Sequence, residues 1–157
     1  MQPSRPRDAL LGLALLSVLV PCHHRAMQGL GSTARSIGRG LTEGWPSADL
    51  VRLLAQAVTD FDALPDHASR EAFISEPELI GDTAWDAAMA ALAVHLCQRG
   101  GFDRSPDWTR ASERYNPSIA WLSLPPDSTL QAFVYQRTPI YFKARGVMLD
   151  EANLVSV

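Results

Sequence analysis

One predicted helix, over residues 81–101, limits the folds open to this chain more than any other segment. Its apolar side chains recur at the spacing that aligns them along one helix face, namely Trp85, Ala88, Met89, Leu92, Ala93 and Leu96. Asp82 precedes the pattern as an N-cap, and Gly100 and Gly101 follow it as a stop signal. Because such a face must be covered by other elements, the sequence predicts that this helix is the centre of the core.

A second predicted helix begins at Ser47 and runs to about residue 63. Its apolar residues repeat the spacing of the first helix, at Leu50, Leu53, Leu54, Ala57, Val58 and Phe61. Because the two helices share pattern and length, we expect them to pack on each other, within one chain or across a homo-oligomer. A shorter helix is predicted over residues 67–75.

The C-terminal half is predicted to contain four short helices, each opened by a proline. These prolines are Pro106, Pro117, Pro126 and Pro139, and proline suits the first helical position, where its missing N–H costs nothing. Residues 147–149 are expected to be a short extended piece. No segment alternates with period two for long enough to predict a sheet. The sequence therefore predicts an all-α domain over residues 47–157, with two long amphipathic helices packed against several short proline-initiated ones.

The first 46 residues are interpreted as an extension outside that domain. Arg5 and Arg7 precede an uncharged run at residues 9–20, which resembles a secretory signal but is shorter than the roughly 20 residues of a membrane span. Three interpretations of residues 1–26 stay open. They are a disordered extension, or an artefact if translation starts at Met27; a buried helix; or a signal or membrane anchor. Residues 28–44, rich in Gly, Ser and Thr, predict a flexible linker. We expect a cytoplasmic protein, or an exported one if the signal is genuine.

Charge divides the chain into a basic start and an acidic body. Residues 1–46 carry five arginines and two acids, or +3, whereas residues 47–157 carry nine bases and fifteen acids, or −6. The acidic body argues against direct nucleic-acid binding, because phosphate contacts need clustered Lys and Arg. The acids concentrate in residues 60–86, where Arg70 is the single base. Three interpretations stay open: a solvated face with helix caps, a patch that docks on a basic partner, or paired carboxylates for acid–base catalysis.

No motif assigns a catalytic residue, a metal ligand or a cofactor. Cys22, His23 and His24 do not match a zinc spacing, and the glycines of residues 29–40 lack the lysine of a phosphate-binding loop. Cys97 is predicted to be a buried thiol. His95 lies at the edge of the apolar face of the first helix. With a nearby carboxylate and a pocket, it would supply the chemistry of a small enzyme or ligand-binding domain.

Aromatic residues add candidates for an interface. The Trp residues at 85, 108 and 121 are expected to pack in the core, whereas Tyr141 and Phe142 beside Lys143 are candidate anchors, because aromatic side chains dominate binding hot spots. With the acidic run they form the candidate partner-binding set: Asp60, Asp62, Asp66, Glu71, Glu76, Glu78, Tyr141 and Phe142.

Two stretches also carry a resemblance. The segment PELIGDTAWDAAMAALAVHL at residues 77–96, followed by Trp108, and TPIYFKARGVML at residues 138–149 resemble small uncharacterised actinobacterial proteins. Some of these are encoded beside predicted nucleotidyltransferases, in an arrangement similar to toxin–antitoxin pairs. The resemblance covers about residues 48–157. It implies a non-catalytic protein that binds another protein, with an acidic, antitoxin-like face directed at a basic nucleic-acid-directed enzyme.

Overall fold

A computed structural model describes residues 29–155 as a mostly helical domain, which confirms the all-α prediction. Its helices are α1 (Leu30–Glu43), α2 (Ser47–Asp62), α3 (His67–Phe73), α4 (Thr83–Arg99), α5 (Gln131–Arg137) and α6 (Ile140–Lys143). Three 3-10 turns cover Asp107–Arg110, Ser112–Arg114 and Glu151–Leu154. The predictions for residues 1–26 lie outside the described residues. Among residues 29–155, no helix has the length and apolarity needed to cross a bilayer.

Helix α4 lies at the centre of the core, as its apolar spacing predicts. The Asp82 carboxylate accepts hydrogen bonds from the backbone N–H groups of Ala84 and Trp85, which confirms the N-cap. The helix ends at Arg99, and Gly101 follows in the left-handed conformation with φ of 69°. The predicted single apolar face is wrong, because α4 is buried on nearly every side, including residues between the expected positions such as Ala87, Ala90 and Ala91.

Helix α1 corrects the prediction of a flexible linker at residues 28–44. Leu30, Ala34 and Ile37 of this helix are buried in the same core as α2 and α4, so the helical domain does not begin at residue 47. Gly40 explains how the helix fits, since a Cβ there would lie 2.5 Å from a methyl carbon of Leu50. Glycine therefore serves close helix packing here, and α1 covers much of the surface of α2 that was expected to pack on α4.

The long helices α2 and α4 touch, but each has other main neighbours. Helix α2 packs chiefly against α1 and the 3-10 turn Glu151–Leu154, whereas α4 packs chiefly against α6 and the two turns at Asp107–Arg110 and Ser112–Arg114. The predicted packing of the two long helices is therefore a minor contact. The short C-terminal elements provide most of the cover that α4 needs.

The C-terminal half is more irregular than predicted. Proline opens the 3-10 turn after Pro106 and the helix α6 after Pro139, whereas α5 begins only at Gln131. The helix expected after Pro117 is wrong, because β1 (Ala120–Trp121) pairs in parallel with β2 (Val147–Met148) there. The extended piece expected at residue 147 is thus half of a two-stranded sheet. Its register joins Ala120 to Val147.

Candidate protein-binding surface

Residues 74–81, here called the strap, connect α3 to α4 over the surface and form neither helix nor strand. Buried polar groups hold the strap from beneath. Trp108 Nε1 donates to the carbonyl of Ile74 at 3.2 Å, and Arg114 Nη2 donates to the carbonyl of Pro77 at 2.6 Å. At the far end, the carboxylate of one residue of α4, Asp86, accepts from the backbone N–H groups of residues 80 and 81, at 2.7 and 3.1 Å. The strap is therefore fixed along its whole length by side chains of other elements.

The two charged groups under the strap form a buried ion pair. Arg114 Nη1 lies 3.6 Å from Asp86 Oδ1, and their side chains are 1% and 5% exposed. The guanidinium of Arg114 also stacks over the ring of Trp108, with 4.9 Å from Cζ to the ring centroid. Removing two charges from water is expensive, so such a pair persists only where the surrounding geometry satisfies it. Here the satisfaction is partial: Nη2 donates to the strap, whereas Nε and Nη1 of Arg114 are buried without a hydrogen-bond partner among the described residues, so charge attraction and the strap contacts hold the pair.

The outer side of the strap faces solvent and carries two acids and a leucine. Glu76 and Glu78 are exposed, and Leu79 between the acids and α4 is 52% exposed. Glu76 Oε1 lies 3.5 Å from Arg114 Nη2, which leaves its carboxylate at the surface with a side-chain exposure of 59%. The backbone N–H groups of residues 76, 78 and 79 have no hydrogen-bond partner within residues 29–155. Both the acids and this backbone edge are available to a partner.

Most other acids of the predicted patch serve the fold. Asp62 pairs with Arg99, and Asp60 accepts from Gln56. Asp66 caps α3 by accepting from the backbone N–H of Ser69, and this hydrogen bond lowers the pKa of the Asp66 carboxyl. Among the described residues, the side chains of Glu71 and Glu78 have no hydrogen bond or ion pair. The acidic surface that remains for a partner is Glu71, at the end of α3, together with the strap.

The two aromatic candidates do not belong to this surface. Phe142 is fully buried against α4, which removes its side chain from the folded surface and corrects its assignment as an interface anchor. Tyr141 is half-buried, and its hydroxyl donates to Gln98 Oε1 near the end of α4. The exposed aromatic and aliphatic residues of the C-terminal half are different ones, namely Tyr115, Ile119, Leu130, Phe133, Tyr135, Ile140 and Val155.

The alternative site at His95 has no direct carboxylate partner within residues 29–155, although the charges of Glu151 and Asp62 act on its ring. Its ring is half-buried, 6.3 Å between centroids from that of Tyr141, and no carboxylate forms a hydrogen bond or ion pair with it. Burial lowers the pKa of His95, with the charge of Arg99 as a smaller cause. The Cys97 thiol is buried as predicted, and burial raises its pKa to about 11. A thiol that stays protonated at neutral pH is a weak nucleophile, so Cys97 is not an activated cysteine.

Two concave regions lie elsewhere on the described part of the chain. A groove of about 520 Å³ lies between α2 and the turn Glu151–Leu154, and Arg52 is its sole charged lining residue. A smaller hollow of about 290 Å³ near the end of α4 is lined by Cys97, Asp103, Arg104 and Arg110 among others. Within residues 29–155, no group of three His, Cys, Asp or Glu side chains is arranged to hold a metal ion.

Two of the residues that position the strap were not predicted to do so. Asp86 appears in the sequence as one more acid of a charged run, and Arg114 carries no local signal, since it lies 37 residues from the carbonyl that it binds. A usable signal was the position of Asp86 beside Trp85 in an otherwise apolar helix, because a buried acid requires a cation or donors.

Comparisons with known protein families, curated proteins and solved structures found no match to this chain.

Proposed function

We propose that this protein is a non-catalytic binding module whose strap docks on a basic partner protein. The observation that carries the proposal is the buried Asp86–Arg114 pair, which fixes a surface segment while leaving Glu76, Glu78 and Leu79 exposed. A buried ion pair thus holds the conformation of a surface segment whose outward-facing side chains make few contacts within the chain. This arrangement is typical of a binding segment more than of a simple connection between helices.

The physical case rests on preorganisation and charge. A segment already held in one conformation loses less entropy on binding than a mobile loop does. The strap itself carries Glu76 and Glu78 and no base, so its outward side is acidic, although the exposed Arg104 lines a hollow beside Glu71 and Ser75. Such a surface accelerates encounter with a basic partner and disfavours acidic ones. Leu79 supplies an apolar contact at its centre.

The resemblance described above suggests the class of partner. An antitoxin-like role would direct the strap at a nucleotidyltransferase-type enzyme, whose nucleic-acid-binding surface is basic. The strap would then compete with phosphates for that surface, and the protein itself would not bind nucleic acid. The expected compartment is the cytoplasm, where such an enzyme meets its substrate, and the role calls for no cofactor.

Co-expression with the product of the adjacent gene tests the proposal. We expect a stable complex and relief of any growth inhibition that the neighbour causes alone. The Glu71→Gln/Glu78→Gln variant should weaken the complex about 10-fold or more, since it removes two exposed charges without touching an internal contact. The matched control is Asp103→Asn/Asp127→Asn, which makes the same change of net charge at two exposed acids elsewhere.

Three outcomes separate the proposal from its alternatives. Loss of rescue in the Glu71/Glu78 variant with retention in the Asp103/Asp127 variant supports docking through the strap. Equal weakening in both variants would show that net charge alone matters, which contradicts the proposal. Size-exclusion chromatography of the co-expressed wild-type pair measures complex formation, and the absence of any complex would contradict the proposal.

A further inference from the structure

A hollow of about 270 Å³ opens between the end of α3, the start of the strap and the turn that carries Trp108, and we infer that it binds a free α-amino acid with an apolar side chain. Four residues give it apolar walls, namely Ile74, Phe102, Pro106 and Trp108. Its charged lining is one acid, Glu71, and one base, Arg104. Small-molecule sites begin at about 300 Å³, so a hollow of this size suits a ligand no larger than an amino acid.

The two charged residues of the hollow have no partners of their own. Neither Glu71 nor Arg104 forms a hydrogen bond or an ion pair within residues 29–155, with each other or with any other side chain. The hydroxyls of Ser75 and Ser105, which also line the hollow, have no hydrogen-bond partner among these residues either. A carboxylate and a guanidinium that line one hollow without pairing leave room for a ligand that carries both charges.

The aromatic walls of the hollow are held in place by contacts outside it. Trp108 Nε1 donates to the carbonyl of Ile74 at 3.2 Å, and the guanidinium of Arg114 lies 4.9 Å from the centroid of the Trp108 ring. The ring of Phe102 stacks on that of His67, with 4.2 Å between centroids. Walls that are fixed before binding reduce the entropy that a ligand must lose. They also give an apolar or aromatic side chain a surface on which to bury itself.

Charge complementarity selects the ligand class. A simple anion such as phosphate would meet the carboxylate of Glu71, and a simple cation would meet the guanidinium of Arg104. An uncharged apolar ligand would take water away from both groups without replacing it. A free α-amino acid offers an ammonium that donates to Glu71 and a carboxylate that accepts from Arg104. A residue inside a peptide lacks both charges, so the zwitterion of a free amino acid fits this lining better than a peptide segment does.

Isothermal titration calorimetry of the full chain with L-phenylalanine tests the inference. We expect saturable binding at one site. Three analogues each remove one feature of the ligand: N-acetyl-L-phenylalanine lacks the ammonium, L-phenylalanine amide lacks the carboxylate, and glycine lacks the side chain. Each should bind about 10-fold or more weakly than L-phenylalanine, because each loses a charge-assisted contact or the apolar burial.

Two variants connect each charge of the ligand to one residue. Glu71→Gln should weaken the binding of L-phenylalanine about 10-fold and leave that of the N-acetyl analogue unchanged, because that analogue has no ammonium to lose. Arg104→Gln should likewise weaken the binding of L-phenylalanine and leave that of the amide unchanged. The matched controls are Asp127→Asn and Arg39→Gln, which make the same changes of charge at exposed positions elsewhere and should bind as the wild type does.

Absence of binding at millimolar L-phenylalanine would overturn the inference. Analogues without the ammonium or the carboxylate that bind as tightly as L-phenylalanine would also overturn it, as would wild-type affinity in either the Glu71 or the Arg104 variant. The inference is separable from the proposed function, since Arg104 lies outside the strap. Arg104→Gln should lose the amino acid and keep the complex with the basic partner, so failure of one binding event leaves the test of the other intact.

Discussion

Removing the carboxylate of Asp86 should destabilise this domain more than any surface substitution of the same size. In the folded chain that carboxylate accepts hydrogen bonds from the N–H groups of residues 80 and 81, at 2.7 and 3.1 Å, and lies 3.6 Å from Arg114. The Asp86→Ala change therefore orphans two strap amides and leaves the buried guanidinium of Arg114 with only the exposed Glu76 as a counter-charge. We expect both the global stability and the order of the strap to fall.

The expected magnitude follows from the burial of the pair. Breaking a buried ion pair by removing one partner costs about 3–5 kcal/mol of unfolding free energy. Arg114→Met removes the other partner and the donor to the carbonyl of Pro77, so it should cost a similar amount. In the double variant, no buried charge remains unpaired. The double variant should therefore cost at least about 2 kcal/mol less than the sum of the two single changes.

Urea denaturation of the four chains, followed by tryptophan fluorescence, measures this coupling. The control is the same cycle on Arg99 and Asp62, an exposed pair whose side chains are 45% and 43% exposed. Its coupling should lie between about 0 and 1 kcal/mol, because solvent screens exposed pairs. If the unfolding free energies lost in the two single variants add up to the loss in the double variant within about 0.5 kcal/mol, the reasoning is refuted, since additivity marks independent sites.

Three further expectations concern the core and its titratable groups. Gly40→Ala should destabilise the fold by about 1–3 kcal/mol, because the added Cβ would overlap neighbouring side chains. In Gly38→Ala the added Cβ would meet its nearest neighbour at 3.7 Å, so this variant should gain up to about 1 kcal/mol of stability from helix propensity. Equal effects of the two changes in urea denaturation would contradict the placement of α1. The pKa of His95 in the folded state lies below its ordinary 6.5, so the unfolded chain binds more protons, and the free energy of unfolding should fall as the pH drops through 6.5 towards the lower folded pKa. His95→Gln should reduce this pH dependence. Denaturation curves between pH 7.5 and 5.5, a range of about two units around the ordinary value, measure it, and an unchanged profile in the variant would contradict the expectation. With Cys22 replaced by serine, Cys97 should react with Ellman's reagent only on unfolding, because its pKa of about 11 keeps the thiol protonated at pH 8; rapid labelling of the native chain would contradict its burial.

Local patterns account for the parts of the fold that the sequence predicts well. Helix α4 combines a capping acid, apolar residues at helical spacing and a glycine stop, and each of these acts within a few residues. Helix α1 has a similar signal, since Leu30, Ala34, Ile37 and Leu41 recur at spacings of four, three and four. Its glycine content favoured a linker instead. Glycine in a helix is locally unfavourable, and the close contact with α2 that offsets it is tertiary.

Long-range contacts account for the parts that the sequence does not predict. The strap depends on Arg114 and Trp108, which lie more than thirty residues away from the carbonyls that they bind. The buried side of a helix as short as α5 or α6 is also set by its neighbours, because a few residues cannot define a periodic face. For that reason Phe142 was expected to anchor an interface and is instead buried, whereas its neighbour Ile140 is exposed.

Hydrogen exchange of the full chain, alone and bound to the adjacent gene product, tests the central claim most directly. The amides of residues 76, 78 and 79 have no hydrogen-bond partner in the described chain and should exchange quickly in the free protein. If the strap is the docking surface, their exchange should slow on complex formation, while the amides of residues 130–140 stay unchanged. Slowed exchange confined to α5 and α6, with the strap as fast as in the free chain, would contradict the account.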